Sequence, residues 1–225
     1  MGLLRFGWPR LDASGFTDYS PTNMDKSYWD DIYRSKSEKE VSWHQDVPAK
    51  SLELIAELKL APADAVIDIG GGESHLVDYL LKDGFRDISI LDISSAALEK
   101  TKACLGEGAK SVRFITSDIT KFNPSEQYRL WHDRATFHFL TNVEDVTTYL
   151  DIANRAIAPG GFLIVSTFSK IGPDKCSGLP ISKYSDTDLK ALFAKYFTNI
   201  RCFEDTHTTP WGAGQSFVYC GFKKR

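Results

Sequence analysis

A chain of 225 residues, 42% of them hydrophobic, carries enough apolar mass for one substantial core, and a single domain is expected. The formal net charge of −3 gives no electrostatic footprint for bulk nucleic acid or an anionic membrane. No apolar run approaches the roughly 18 residues of a membrane span, and the four cysteines are widely spaced with no C-x-x-C pair, so a reduced, cytoplasmic setting without a bound metal is expected.

In chain order, residues 1–23 read as a mobile extension preceding a domain over 24–225. Residues 24–50 read as a lid. There Tyr28-Trp29-Asp30-Asp31-Ile32-Tyr33 and Val41-Ser42-Trp43-His44-Gln45 flank a charged stretch, and aromatic faces of this kind suit a cationic ligand. From Leu52 onward, strand-length apolar runs alternate with amphipathic helical stretches, the order of an α/β domain with a parallel sheet. Strands are expected at 65–69, 88–92, 111–115, 129–133 and 162–167. Helices are expected at 74–82, at 94–105 behind a capping Ser94, and at 143–157. A long loop over 169–184, a helix over 186–196 and two final strands at 199–203 and 216–222 complete the pattern.

The first strand ends in Asp68 and runs into Gly70-Gly71-Gly72-Glu73-Ser74, and Asp92 closes the second strand twenty positions after Gly72. Glycines let a backbone approach a ligand that a Cβ would block, and an acid at the second strand tip accepts hydrogen bonds from ribose hydroxyls. This is a nucleoside-binding arrangement. Ser74 stands where a dinucleotide site has its third glycine, and Asp68 would repel a pyrophosphate but suits a ligand carrying an ammonium and a sulfonium.

The spacing Asp68-x-Gly70-x-Gly72-x-Ser74 resembles motif I of class I S-adenosyl-L-methionine (SAM) methyltransferases. Asp118 in Phe114-Ile115-Thr116-Ser117-Asp118-Ile119, the run Leu130-Trp131-His132-Asp133-Arg134-Ala135-Thr136-Phe137, and Pro159-Gly160-Gly161 before the fifth strand match further motifs of that family in order. The resemblance implies a doubly wound, mostly parallel seven-stranded sheet with an antiparallel last strand, in a Rossmann-like methyltransferase fold. It also implies SAM as cofactor, held by Asp68, Gly70, Gly71 and Gly72, by Asp92 and Ile93 at the ribose, by Asp118 and Ile119 at the adenine, and by Asp133 near the methyl group. Trp29 and Trp43 would cover it.

Trp29 and Trp43-His44-Gln45 are similar to the N-terminal region of thiopurine and thiol methyltransferases, which implies a small-molecule heteroatom acceptor with sulfur favoured. Tyr28-Trp29-Asp30 with Asp133-Arg134-Ala135-Thr136-Phe137 also resembles the lysine methyltransferases of elongation factors, and a protein substrate is the competing expectation. Ala135 stands where both groups carry glycine. A third reading, a SAM-binding domain without catalysis, follows from the missing last glycine of motif I. Acceptor contacts are expected from His138, Cys176, His207 and Trp211, with Asp133 and His138 as catalytic candidates and His132 as a further base. Cysteine with two histidines is a soft-metal donor set, but no ligand spacing supports one here.

Overall fold

The computed structural model describes residues 25–225, so the extension expected over 1–23 lies outside the described residues. The strands are β1 (Val66–Ile69), β2 (Ile88–Asp92), β3 (Val112–Thr116), β4 (Tyr128–Arg134), β5 (Ile157–Phe168), β6 (Lys175–Cys176), β7 (Leu179–Pro180), β8 (Phe197–Thr208) and β9 (Gly214–Lys224). Seven of them form one sheet in the order β3-β2-β1-β4-β5-β9-β8. The ladders from β3 to β5 are parallel, and β9 runs antiparallel between β5 and β8.

The helices are α1 (Lys26–Ser35), α2 (Ala49–Glu57), α3 (Leu76–Lys82), α4 (Ser95–Leu105), α5 (Val143–Ala156) and α6 (Asp186–Phe193). Both faces of the sheet are covered, so the central strands are apolar on both sides. Ile67, Trp131 and Leu163 face Tyr149 of α5 and Phe193 of α6, whereas Val66, Leu130 and Ile164 face Leu54, Leu80 and Leu98 of α2, α3 and α4. Ser94 caps α4 as expected, accepting the Ala97 amide at 3.1 Å. None of the helices of the described residues is long and apolar enough to cross a membrane.

Three expectations change. The segment expected as a loop over 169–184 contains the two-residue strands β6 and β7, which pair with each other. The final strands are also longer than expected, because β8 and β9 pair with each other along nearly their whole length. That register sets Cys202 opposite Cys220 and joins them in a disulfide, which runs against the reduced setting expected from the cysteine spacing; Cys104 and Cys176 are free.

The chain passes from β3 across to β4 on the other side of β1, so the carboxyl ends of β1 and β4 flank a topological switch point, where open α/β sheets bind ligands. Just past β4, Ala135 sits at φ +70°, a left-handed conformation that costs a non-glycine residue about 1 kcal/mol or more. Ala135→Gly should therefore raise unfolding stability by about 0.5–1 kcal/mol in a denaturant titration. A decrease would mean that packing of the Ala135 methyl outweighs the strain.

Candidate cofactor and acceptor site

Asp68, one residue before the end of β1, has its side chain buried beneath the glycine turn. Its Oδ1 is held by His132 Nδ1 at 2.6 Å, and the other ring nitrogen of His132 meets Ser51 Oγ at 2.8 Å. The imidazole thus fixes the orientation of the carboxylate. Oδ2 is buried and has no hydrogen-bond partner. A buried acceptor of this kind is costly unless a ligand donor reaches it. The turn above it has no room for side chains: a Cβ on Gly71 would collide with Asp68 Oδ2, and one on Gly70, which lies at φ +65°, with Thr136 Oγ1.

Asp92 ends β2. Its Oδ2 accepts the Gly72 amide at 3.0 Å and its Oδ1 the Ser94 amide at 2.7 Å, which leaves lone pairs on both oxygens for a diol. Burial pushes its carboxyl up to about 6 despite those two amides. Asp118 begins the short 3₁₀ turn after β3, taking the Thr120 amide and hydroxyl at 2.9 and 2.8 Å. Burial raises its carboxyl, but the Thr120 donors and the Lys121 ammonium outweigh this and hold it below the ordinary range.

Helix α1 is anchored by a residue of the Tyr28-Trp29-Asp30 motif that the sequence does not mark as a site residue. Asp30 of α1 is buried at the start of α4, where Oδ1 accepts Ser94 Oγ at 2.7 Å and the Ala96 amide at 3.0 Å, while Oδ2 pairs with Lys26. Burial opposes its ionisation, yet Lys26, Ala96 and Ser94 hold it at about 2. Trp29, Tyr33, Trp43 and Phe139 pack edge to face or tilted, with centroids 5.2 to 6.4 Å apart. Asp30→Ala should release α1 from α4 and raise the SAM dissociation constant roughly tenfold in a fluorescence titration. An unchanged constant would show that the aromatic packing alone seats the lid.

Two adjoining cavities share Tyr33, Trp43, Gly70 and Arg134 as walls. One runs from Asp92, Ile93, Asp118 and Ile119 to an aromatic end at Trp29, Phe139 and Cys176. The other holds Asp68, Gly71, Ser74 and His75 beneath His44 and Gln45. Trp29, Trp43, Asp68, Gly70, Gly71, Asp92, Ile93, Asp118, Ile119 and Cys176 therefore line this cleft, and Gly72 donates to Asp92 from its wall. Tyr33, Ser117, His132 and Arg134 line it too, although motif matching did not mark them as cofactor contacts. The one signal for Tyr33 is its spacing four residues after Trp29, one helical turn along the same face.

Other expected residues are turned elsewhere. Asp133 is fully buried, with Oδ1 accepting the Thr136 and Phe137 amides at 3.0 and 3.1 Å and Oδ2 accepting Tyr149 Oη at 2.7 Å. The left-handed residue Ala135 bends the chain so that these amides return to the carboxylate, which serves the turn rather than the cleft. His138 is fully buried between Phe139 and Phe168, and burial drives its imidazole down to about 3. Neither ring nitrogen has a hydrogen-bond partner, and the ring is not among the residues that line the two cavities. His207 Nε2 donates to the Ser42 carbonyl at 2.7 Å and so holds the backbone beside Trp43. Trp211 is 59% exposed in the β8–β9 turn. Among the described residues Cys176, His138 and His207 do not form a donor cluster; the one grouping of possible metal donors is Glu38, His44 and His75 at the rim.

Residues 66–161, which contain the glycine turn and the acids Asp68, Asp92, Asp118 and Asp133, match the family model described as a methyltransferase domain. Among solved structures, the N-methyltransferase NodS from Bradyrhizobium japonicum, in complex with S-adenosyl-L-homocysteine (SAH), superposes with a TM-score of 0.65 at 14% identity, covering 89% of this chain and 99% of that one. A protein from work on the conversion of a disulfide bond into a thioacetal group during echinomycin biosynthesis superposes with a TM-score of 0.69 at 20% identity, covering 88% and 92%. The chain has the Rossmann-like methyltransferase fold. In sequence, the match to the eEF1A lysine and N-terminal methyltransferase homolog of Drosophila melanogaster is 27% identical over 130 residues, 56% of this chain but 19% of that protein. Malonyl-[acyl-carrier protein] O-methyltransferase 2 of Ilyobacter polytropus is 31% identical over 106 residues, 47% of this chain and 39% of that protein. The chain thus spans well under half the length of these curated relatives.

Proposed function

We propose that this protein is a SAM-dependent methyltransferase acting on a small molecule, with a sulfur nucleophile as the favoured acceptor. The unpartnered buried Asp68 Oδ2 supports SAM as the ligand, because it offers a fixed anionic acceptor beside a glycine turn that admits a backbone-hugging chain. Asp68 would take the ammonium of SAM, Asp92 the ribose hydroxyls and Asp118 the adenine edge. When bound, SAM supplies an electrophilic methyl group. The residues of this chain align, enclose and desolvate the reactants, and positioning of this kind is worth up to about 7–11 kcal/mol of barrier.

The observation that carries the acceptor assignment is the aromatic end of the cleft. Trp29, Tyr33, Trp43 and Phe139 close over a space suited to a small, flat group. No carboxylate or imidazole stands at that end among its lining residues, since Asp133 is committed to its own turn and His138 to the core. An acceptor there must arrive already nucleophilic. A thiol, partly ionised near neutral pH, meets that condition, whereas a lysine ammonium must first lose a proton.

Lysine methylation is the second reading, favoured by the sequence matches to eEF1A methyltransferases. Incubation with methyl-labelled SAM, an aryl and alkyl thiol panel, and a cell lysate separates the two. Label in the small-molecule fraction supports the first reading. Label confined to a discrete protein band replaces it with the second.

A further inference from the structure

We propose that Glu38, His44 and His75 form a binding site for a divalent transition-metal ion, zinc in the first instance, with an open coordination position toward the cavity of Asp68 and the glycine turn. The metal site stands on its own geometry. The part given to it in cofactor binding rests on the methyltransferase reading above.

Three separate elements bring the donors together. Glu38 opens a 3₁₀ turn over Glu38–Glu40, which is closed by the Ser37 amide and hydroxyl donating to Glu40 at 2.9 and 2.6 Å. His44 lies in the turn that follows, and His75 is the residue before α3. One donor atom of each lies within 4.8 Å of the other two, and all three residues line the same cavity. Bonds of about 2.0–2.1 Å at tetrahedral angles space two donors about 3.3 Å apart and two imidazole centroids about 5 Å apart. His75 Nε2 and Glu38 Oε2 already stand 3.3 Å apart, and the His44 and His75 rings are 5.6 Å apart at 78°. A side-chain shift of at most about 1.5 Å brings the His44 donor to that spacing.

The surroundings favour an ion over a bare acid–imidazole pair. His75 turns Nε2 toward Glu38 and Nδ1 toward Asp78 Oδ2 at 3.3 Å, and an outer carboxylate of that kind orients a metal-bound imidazole and raises its basicity. His44 Nε2 has Asp46 Oδ1 at 3.2 Å. Among the described residues no lysine or arginine pairs with Glu38, Asp46 or Asp78, so three carboxylates around two imidazoles are left without a fixed cation. Two imidazoles and one carboxylate are the donors of an open zinc site, whereas magnesium and calcium take oxygen ligands. The side chains of Glu38 and His75 are 39% and 31% exposed, which gives the ion a path in from solvent.

The ion would tie the segment carrying Glu38 and His44 to the start of α3 across the mouth of the cavity. Its open position would take a carboxylate oxygen from the amino-acid tail of SAM, beside the ammonium that Asp68 receives. No electron or proton is transferred there. The ion acts as a clamp on the cofactor's tail.

The test uses the untagged full chain, stripped with a chelator and titrated with zinc alone by calorimetry and with cobalt(II) by visible absorption. One zinc per chain, and cobalt bands without thiolate charge transfer, are the expected result. Glu38→Gln and His75→Ala should each lower zinc affinity at least about a hundredfold, and Asp78→Asn, which keeps every ligand, about tenfold. Zinc should raise SAH affinity about tenfold in the unaltered protein and leave it constant in His75→Ala. No zinc binding, or binding that survives Glu38→Gln and His75→Ala undiminished, overturns the proposal. Zinc held by these residues with no change in SAH affinity overturns the clamp. A chain that binds zinc through them but binds no SAH sinks the methyltransferase reading and leaves the metal site standing.

Discussion

Asp92→Ala is expected to weaken SAM binding about a hundredfold in a calorimetric titration. The carboxylate would accept both ribose hydroxyls, and two hydrogen bonds to a charged group at about 1.5 kcal/mol each make about 3 kcal/mol, or two decades of affinity. Stability should move far less. Burial holds the Asp92 carboxyl up at about 6, so its ionisation costs the folded state free energy at pH 7, and alanine removes that cost. Against this, the Gly72 and Ser94 amides lose their acceptor. The two effects oppose each other.

The same carboxyl sets a pH dependence. An acid whose folded pKa lies above its unfolded value destabilises the native state above the folded pKa, and that burden is relieved as pH falls from about 6 toward 4. SAM affinity should move the opposite way, falling as pH drops below about 6, because a protonated Asp92 has lost the charge that attracts the ribose hydroxyls. In Asp92→Ala that decline should disappear. A decline that persists would assign the titration to another group.

Gly72→Ala should abolish measurable SAM binding and cost about 1–3 kcal/mol of stability. A Cβ there would stand 2.5 Å from Ala97 Cβ and 2.5 Å from Asp92 Oδ2, so one added methyl pushes on both helix α4 and the ribose acid. The Gly72 carbonyl accepts the Thr101 hydroxyl of α4, which ties the turn to the same helix and limits its retreat. Thermal unfolding and calorimetry on one preparation check both effects. A variant that binds SAM normally would show that the turn is looser than its packing indicates.

The strand-end acids were legible in the sequence because their positions follow from strand periodicity and glycine spacing, which are local. Asp68, Asp92 and Asp118 all reach the cleft for that reason. Asp133 had the same local signature but not the same fate. A single left-handed residue, Ala135, decides where the following amides point, and no spacing rule announces that. Asp30 and Arg134 were missed as site residues for a different reason. Their partners lie 64 to 91 positions away, at Ser94, Ala96, Tyr219 and Trp43, and such contacts exist only once the sheet and lid have assembled. The Cys202–Cys220 pair belongs with them, being set by hairpin register.

The most direct test of the account is a calorimetric titration of the full chain with SAM, and with NAD as the control nucleotide. One SAM site per chain, displaced by SAH, with no heat from NAD is the expected result. Binding of NAD in place of SAM, or no binding of SAM at all, would contradict it.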